Sequence, residues 1–434
     1  MASERDPLNV LIVGGGVAAI ETLIALRELA GDRGAVTLLA PEHDFVYRPL
    51  TVAEPFARGE ARRYGLAEIA REFDAGFVPD AFAALDAEAR TVTTEQGEPL
   101  SYDALVLAVG ARQVPAFRRA LTFGVERDPE MFNGLLADIE QGYARRVAFV
   151  VPPGVSWPLP LYELTLMTAA QAAGMAWRIL EFTLVTPEDS PLAIFGPGIS
   201  TAVSDLLAEA GVATRTAVYP RESGDEIVLE PGGVVLAAER VVALPRLEGP
   251  RLEGVPSDPA GFIPTELDGR VTGLDDVYAA GDATTFPIKQ GGIATQQADA
   301  IAESLAARAG AAIEPRPFRP VLRGMLMTGG GARYMRAAVA GGGGEGSVSG
   351  HPLWWPPTKI AGRYLAPYLA RPDEGELSPP TEGAEGALAV EAPIEPAGEH
   401  GRRRWVISHG QGNEGIEVVV EETTSPPACG GQSG

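Results

Sequence analysis

Apolar residues fall into short unbroken runs near the start of the chain. Residues 8–13 (LNVLIV) form one, GGG follows, and AAIETLIALRELAG then carries Ile20, Leu23, Ile24 and Leu26 at helical spacing as far as Gly31. The next run, AVTLLAP over 35–41, is again a strand. Strand, glycine turn, helix and strand in this order predict a right-handed βαβ unit feeding a parallel sheet. FVPDAFAALDAEARTVTTEQGEPLSYDALVLAVGA alternates short strands with turns and ends in the apolar run Ala104 to Val109, which predicts an inserted β-meander returning to that sheet. A second unit begins near Arg146 with VAFVV, then a helix from Tyr162 to Ala176, the strand FTLVTPE (182–188) and a helix around Ser200 to Ala210. Residues 272–306 read as strand, loop and amphipathic helix, and bring the chain back to its first domain.

These changes of pattern divide the chain. A discontinuous first domain takes residues 1–115 and 241–313, and an inserted domain takes 116–240. A smaller unit, 314–371, follows the proline-rich joint EPRPFRP (314–320), and 372–434 form a tail. The tail is rich in Pro, Glu, Gly and Ala, with twelve acids against three arginines, and is expected to be disordered.

Composition narrows the function classes. A net charge of -23 over 434 residues excludes non-specific nucleic-acid binding, because the mean field repels a polyanion. The one basic triplet, Arg402 to Arg404, sits among acids and reads as a solvated turn. Cys429 is the sole cysteine, so neither an internal disulfide nor a dithiol pair can form. His43, His351, His400 and His409 are scattered, which excludes a histidine metal cluster, and no serine-nucleophile motif stands out. MASERDPLNV lacks the apolar core of a secretory signal and no run of about 18 apolar residues occurs. The expectation is a cytoplasmic protein, with peripheral membrane contact left open.

Chemistry starts at Gly14-Gly15-Gly16-Val17-Ala18-Ala19, a G-x-G-x-x-A turn between strand and helix. The first glycine makes the tight turn, the second lets backbone approach a pyrophosphate, and the small last residue lets helix and strand pack closely. Phosphates then sit on the helix N-terminus, where free N–H groups and the macrodipole favour anions. The acid that would accept ribose hydroxyls is displaced: Ala40 stands at the strand end and Glu42 two residues on.

Downstream, YDALVLAVGAR (102–112) and VYAAGDA (277–283) complete three motifs over residues 8–310 that resemble the two-dinucleotide-binding-domain flavoproteins. That superfamily holds disulfide reductases, type II NADH dehydrogenases, sulfide:quinone reductases and flavocytochrome c sulfide dehydrogenases. The resemblance implies an α/β fold of two Rossmann-like, three-layer ββα domains for FAD and NAD(P), the second inserted in the first. It also implies non-covalent FAD, with Asp282 accepting a hydrogen bond from the ribityl chain and Gly281 giving room for it. Lys289-Gln290-Gly291-Gly292 resembles the segment placing a helix N-terminus beneath the flavin pyrimidine ring. Tyr47-Arg48-Pro49-Leu50 resembles the loop passing that ring, and Phe82, Ala108, Val109 and Gly110 complete the implied cofactor contacts. No catalytic acid or base is named by it.

Two departures limit what the resemblance carries over. HDFVYRPLTVAEP lacks the cysteine pair of the disulfide reductases, and Cys429 lies far from the cysteines that sulfide:quinone reductases place beside the flavin. Where NADH-using members repeat the glycine turn, this chain reads Pro152-Pro153-Gly154-Val155-Ser156-Trp157-Pro158. Proline offers no N–H to a phosphate and Trp157 fills its volume. With Tyr162 and Glu163 after it, the segment resembles members whose middle domain keeps the fold without the dinucleotide. The expected activity is an FAD-dependent oxidoreductase with a small-molecule donor and a quinone or protein acceptor. The alternatives are an NAD(P)H dehydrogenase with an atypical donor site and, outside enzymes, an interaction protein with or without flavin. HPLWWPPTKIAGRYLAPYLAR (351–371) combines Trp354, Trp355, Tyr364 and Tyr368 with Lys359 and Arg363, and Ile360, Tyr364 and Tyr368 repeat at helical spacing. It suits a core helix, a homodimer contact or a membrane interface.

Overall fold

The structure, a computed structural model, describes residues 6–124, 128–174, 180–329 and 358–371, with further backbone strands at 334–337, 346–349, 387–393, 402–407 and 416–421. The described α-helices are α1 (Val17–Ala30), α2 (Leu66–Glu72), α3 (Asp128–Glu140), α4 (Leu159–Gly174), α5 (Pro197–Glu209), α6 (Gly291–Arg308) and α7 (Leu365–Leu369).

Two five-stranded sheets, each wholly parallel, organise the chain. The first runs Val277–Ala279, Ala104–Leu107, Leu8–Val13, Gly34–Leu39, Gly76–Val78. Both faces of its central strand are buried, which is why LNVLIV is an unbroken apolar run. Val10 and Ile12 pack on α1 and α6, whereas Leu11 and Val13 face the meander side with Leu85 and Val92. The three layers are therefore helices, parallel sheet and the antiparallel strands Phe82–Asp86, Thr91–Thr94 and Pro99–Ser101.

The second sheet runs Leu121–Thr122, Arg240–Ala243, Arg146–Val150, Glu181–Val185, Val212–Arg215. Val147, Phe149 and Leu184 meet Leu161, Tyr162 and Leu164 of α4, while Ala148, Val150 and Val185 meet Ile227 and Leu229 of a second meander. The expected return at 241 cuts the strand Arg240–Ala243, which lies wholly in the inserted sheet. The crossing comes later, where Arg112–Val114 pairs antiparallel with Arg246–Glu248 and ties the two connections together.

Beyond α6, the strand Val321–Met327 packs Leu322 and Leu326 into the inserted domain's core and pairs antiparallel with Ala387–Pro393. Residues 358–371 cross back to the first domain, burying Ile360, Leu365 and Leu369 against it. The helical spacing of Ile360, Tyr364 and Tyr368 is realised for one turn only, α7, because the preceding residues are held by bonds to Tyr47 and Glu21. Within the acidic C-terminal segment, Arg402 to Arg404 open a strand paired with Ile416–Glu421 rather than a turn. His351, Trp354, Trp355, His400, His409 and Cys429 lie outside the described residues.

Candidate functional site

The glycine turn is shaped by what surrounds it. Gly14 has φ +119°, donates to Leu39 O at 2.8 Å, and a Cβ there would stand 2.3 Å from Ala108 O. A side chain on Gly15 would meet Leu66 Cδ1 at 2.6 Å, with Glu42 Oε2 next to it at 3.6 Å. The displaced acid thus reaches back over the turn although Ala40 occupies the strand end. Gly16 begins α1 without a side-chain cap, and a Cβ on it would meet nothing within 4 Å. Open space therefore lies in front of the free N–H groups of Val17, Ala18 and Ala19.

The other motifs come to the same place. Ala108 donates to Val13 O, and Ala280 to Leu107 O, which carries Ala108-Val109-Gly110 and Gly281-Asp282 off adjacent strand ends. A Cβ on Gly281 would lie 3.4 Å from Ala18 Cβ and 3.5 Å from Ala294 Cβ, so the Asp282 turn sits between the starts of α1 and α6. Gly110, at φ +73°, likewise faces open space. Phe82 and Val109 each pack, partly buried, against the meander-facing cluster.

Asp282 is half-buried, and no hydrogen bond reaches its carboxyl among the described residues. Burial pushes that carboxyl above its ordinary range, with Lys289 opposing the shift. The Lys289 ammonium donates to Thr284 O and lies 3.9 Å from the centre of the Phe262 ring. Burial brings it down to about 8, against the pull of Asp282 and Asp258. The Gln290 side chain is committed to structure: Oε1 caps α6 by accepting from Ile293 N at 3.0 Å, and Nε2 donates to Arg323 O at 3.0 Å. Gly292 is small beneath it, a Cβ there falling 3.0 Å from Gln290 Oε1.

Above this cleft three units meet. Tyr47 Oη accepts from Ile360 N at 3.1 Å, and Pro49 O accepts from Lys359 Nζ at 3.0 Å, while Arg48 is exposed. Lys359 also pairs with Glu163 Oε2 at 2.7 Å, the two side chains being 7% and 0% exposed, and Glu163 Oε1 accepts from Met327 N. Burial raises the Glu163 carboxyl and Lys359 opposes this. Ile360 covers the first residue of α6, where a Cβ on Gly291 would be 2.7 Å from Ile360 Cδ1.

The corresponding turn of the inserted domain is closed. Pro158 and Pro160 bracket the start of α4, and Leu161 N is already bonded to Pro158 O, so few N–H groups face outward. Trp157 packs edge-on to Phe195 at 5.7 Å, and a Cβ on Gly324 would touch Phe195, Leu159 and Trp157 at 2.9–3.2 Å. The strand Val321–Met327 therefore lies across this turn. Glu188, three residues beyond the second strand, is 4% exposed and accepts from Tyr162 Oη at 2.6 Å and Thr186 Oγ1 at 2.8 Å. Burial moves it up to about 7. Pattern reading passed over this glutamate; its signal is an acid in the place Glu42 holds in the first domain.

A free helix start, an open glycine cradle and an unsatisfied Asp282 fit a dinucleotide with a polyol chain, and the first domain therefore suits FAD. Residues 8–132 and 166–300, more than half of the chain, match the pyridine nucleotide-disulphide oxidoreductase family. The chain belongs to this family. Its membership agrees with the expected fold, with FAD as cofactor and with oxidoreductase chemistry. A sulfide-quinone reductase of Aquifex aeolicus (strain VF5) is 28% identical over 221 residues, 47% of this chain and 49% of that protein, so the chain spans about half that relative's length. The ferredoxin reductase component of chlorobenzene dioxygenase from Cupriavidus sp. (strain PS12) is 27% identical over 323 residues, 70% of this chain and 74% of the other. The solved sulfide:quinone oxidoreductase of Aquifex aeolicus superposes with a TM-score of 0.65 at 22% identity, covering 74% of this chain and 81% of that one, a likeness of fold. Among the described residues no cluster suits a metal ion, and no helix is long and apolar enough to cross a membrane.

Proposed function

We propose that the protein is an FAD-dependent oxidoreductase whose donor is not a pyridine nucleotide seated in the inserted domain, and whose acceptor is a quinone or a protein. Bound FAD would supply the transfer of a hydride or an electron pair. The chain would hold its pyrophosphate with the α1 N-terminus, its adenosine ribose with Glu42 and its ribityl chain with Asp282. Lys289, fixed by Thr284 and Phe262, keeps a cation beside Asp282. Glu163 and Lys359 clamp the loop at Pro49 against α4 and the strand Val321–Met327, which positions that loop and excludes water. With Cys429 as the sole cysteine, no protein dithiol takes part.

The observation that carries the donor assignment is the filled turn at Pro152 to Pro158, with Trp157 packed on Phe195 and Glu188 turned inward to Tyr162. Anaerobic mixing of the flavin-loaded protein with NADH, NADPH and sulfide in turn tests it through the visible absorbance. The reading expects no rapid bleaching by either nucleotide. Rapid bleaching by NADH supports instead a nucleotide dehydrogenase with a donor pose outside the inserted turn.

A further inference from the structure

Glu21 stands in the middle of α1 among apolar residues and is fully buried. Its Oε1 accepts from Tyr364 N at 2.9 Å and its Oε2 from Leu365 N at 2.6 Å, two backbone bonds across some 340 residues of sequence. Gly362 has to be glycine for this approach, since a Cβ would fall 2.8 Å from Glu21 Oε2 and 3.0 Å from Thr295. On α6 the Asp299 side chain meets Glu21, and Asp299 Oδ1 is buried with no hydrogen-bond partner among the described residues. Two carboxyl groups that touch without a cation between them need a proton.

The other charges around the pair do not replace it. From α6, Glu303 adds a negative charge and takes up both nearby cations, Arg316 through Nε at 3.2 Å and Arg363 through Nη1 at 3.2 Å, and also accepts from the Arg316 backbone N at 3.0 Å. Arg363 favours the Asp299 carboxylate through space but is half exposed, and Tyr364 faces the pair as a neutral phenol. Burial first, then Glu21, pushes Asp299 up to about 8.

We propose that Glu21 and Asp299 form a proton-operated latch which holds residues 358–371 closed on the first domain, so that this segment docks less firmly as pH rises. On the reading given above, the same segment covers the start of α6 and the loop at Pro49, and its release would open the FAD cleft. Closing takes up a proton, because only the closed form keeps the carboxyls dry. Docking is therefore strongest in acid, weakens with rising pH, and levels off above about 8.

Hydrogen exchange of the 359–365 amides in the full chain, corrected for the intrinsic pH dependence of exchange, reads the latch directly. Protection should fall by up to about tenfold per pH unit between about pH 6 and 8, the slope of one proton. Asp299→Asn, whose amide permanently imitates the protonated carboxyl, should keep the segment protected with no slope. Glu21→Gln removes the other charge and should flatten the slope in the same window, which decides the matter if Asp299→Asn does not fold. A flat wild type, or a variant retaining the full slope, overturns the latch. Exchange is read with and without FAD, so failure of the flavin assignment shows separately as a chain that takes up no flavin.

Discussion

The two parallel sheets are built alike, yet their first turns end differently. In each, a buried first strand leads through a turn and a helix to a second strand, and an acid stands three residues beyond that strand: Glu42 after Leu39, Glu188 after Val185. At the first turn Gly14 and Gly15 pack tightly, Gly16 leaves open space before free N–H groups, and Glu42 is exposed beside it. At Pro152 to Pro158 the space holds an indole, the helix start is bracketed by proline, and Glu188 is spent on Tyr162 and Thr186. On the proposed function, a Rossmann-like layer keeps its fold without a ligand because its own side chains satisfy the groups a ligand would satisfy.

The largest effect tests what closes the inserted side. Lys359→Met leaves Glu163 buried and unpaired, which should cost about 3–5 kcal/mol in denaturant unfolding. Glu163→Gln added to it should return much of that loss; an undiminished loss would mean that packing, not charge, joins the units. Gly14→Ala should cost about 3 kcal/mol and abolish flavin retention, because the new Cβ strikes Ala108 O at a φ of +119°. Gly154→Ala in the other turn meets open space and carries only the strain of its φ of +83°, so it should cost about 1 kcal/mol. Equal losses would remove the distinction between the turns.

Glu188 gives a pH signature. Its carboxyl is raised to about 7, so the proton it holds in the folded chain is worth most below the ordinary carboxyl range and is lost as pH rises to about 7. Relative to Glu188→Gln, the wild type should lose up to about 3 kcal/mol of stability between about pH 4.5 and 7. Parallel pH curves would show that Glu188 is hydrated. Trp157→Ala should cost about 2 kcal/mol, less than a fully buried indole because this one is half-buried. It should confer no reduction by NADH, since the prolines still withhold N–H groups; a gain of NADH activity would make the indole alone the barrier.

Much of this was legible in the chain itself. The apolar runs at 8–13 and 146–150, the glycine turn and its proline counterpart each declare themselves within a dozen residues, because strand burial and turn geometry are local demands. The boundary near 241 was misplaced since a four-residue strand has no pattern to assign it to one sheet over the other. Residues 358–371 read as helix by spacing, but Tyr47 and Glu21, more than 300 positions away, determine their path. Glu21 and Glu163 carried one local sign, an acid inside an otherwise apolar helical run, while their partners Asp299 and Lys359 are set by tertiary contact alone.

The contrast between the two turns reduces to a number of dinucleotides per chain. Native mass spectrometry of the protein equilibrated with excess FAD and NADH should show one FAD and no bound NADH. A species carrying FAD and NADH together, lost on substituting residues of the Pro152 to Pro158 turn, would contradict the account.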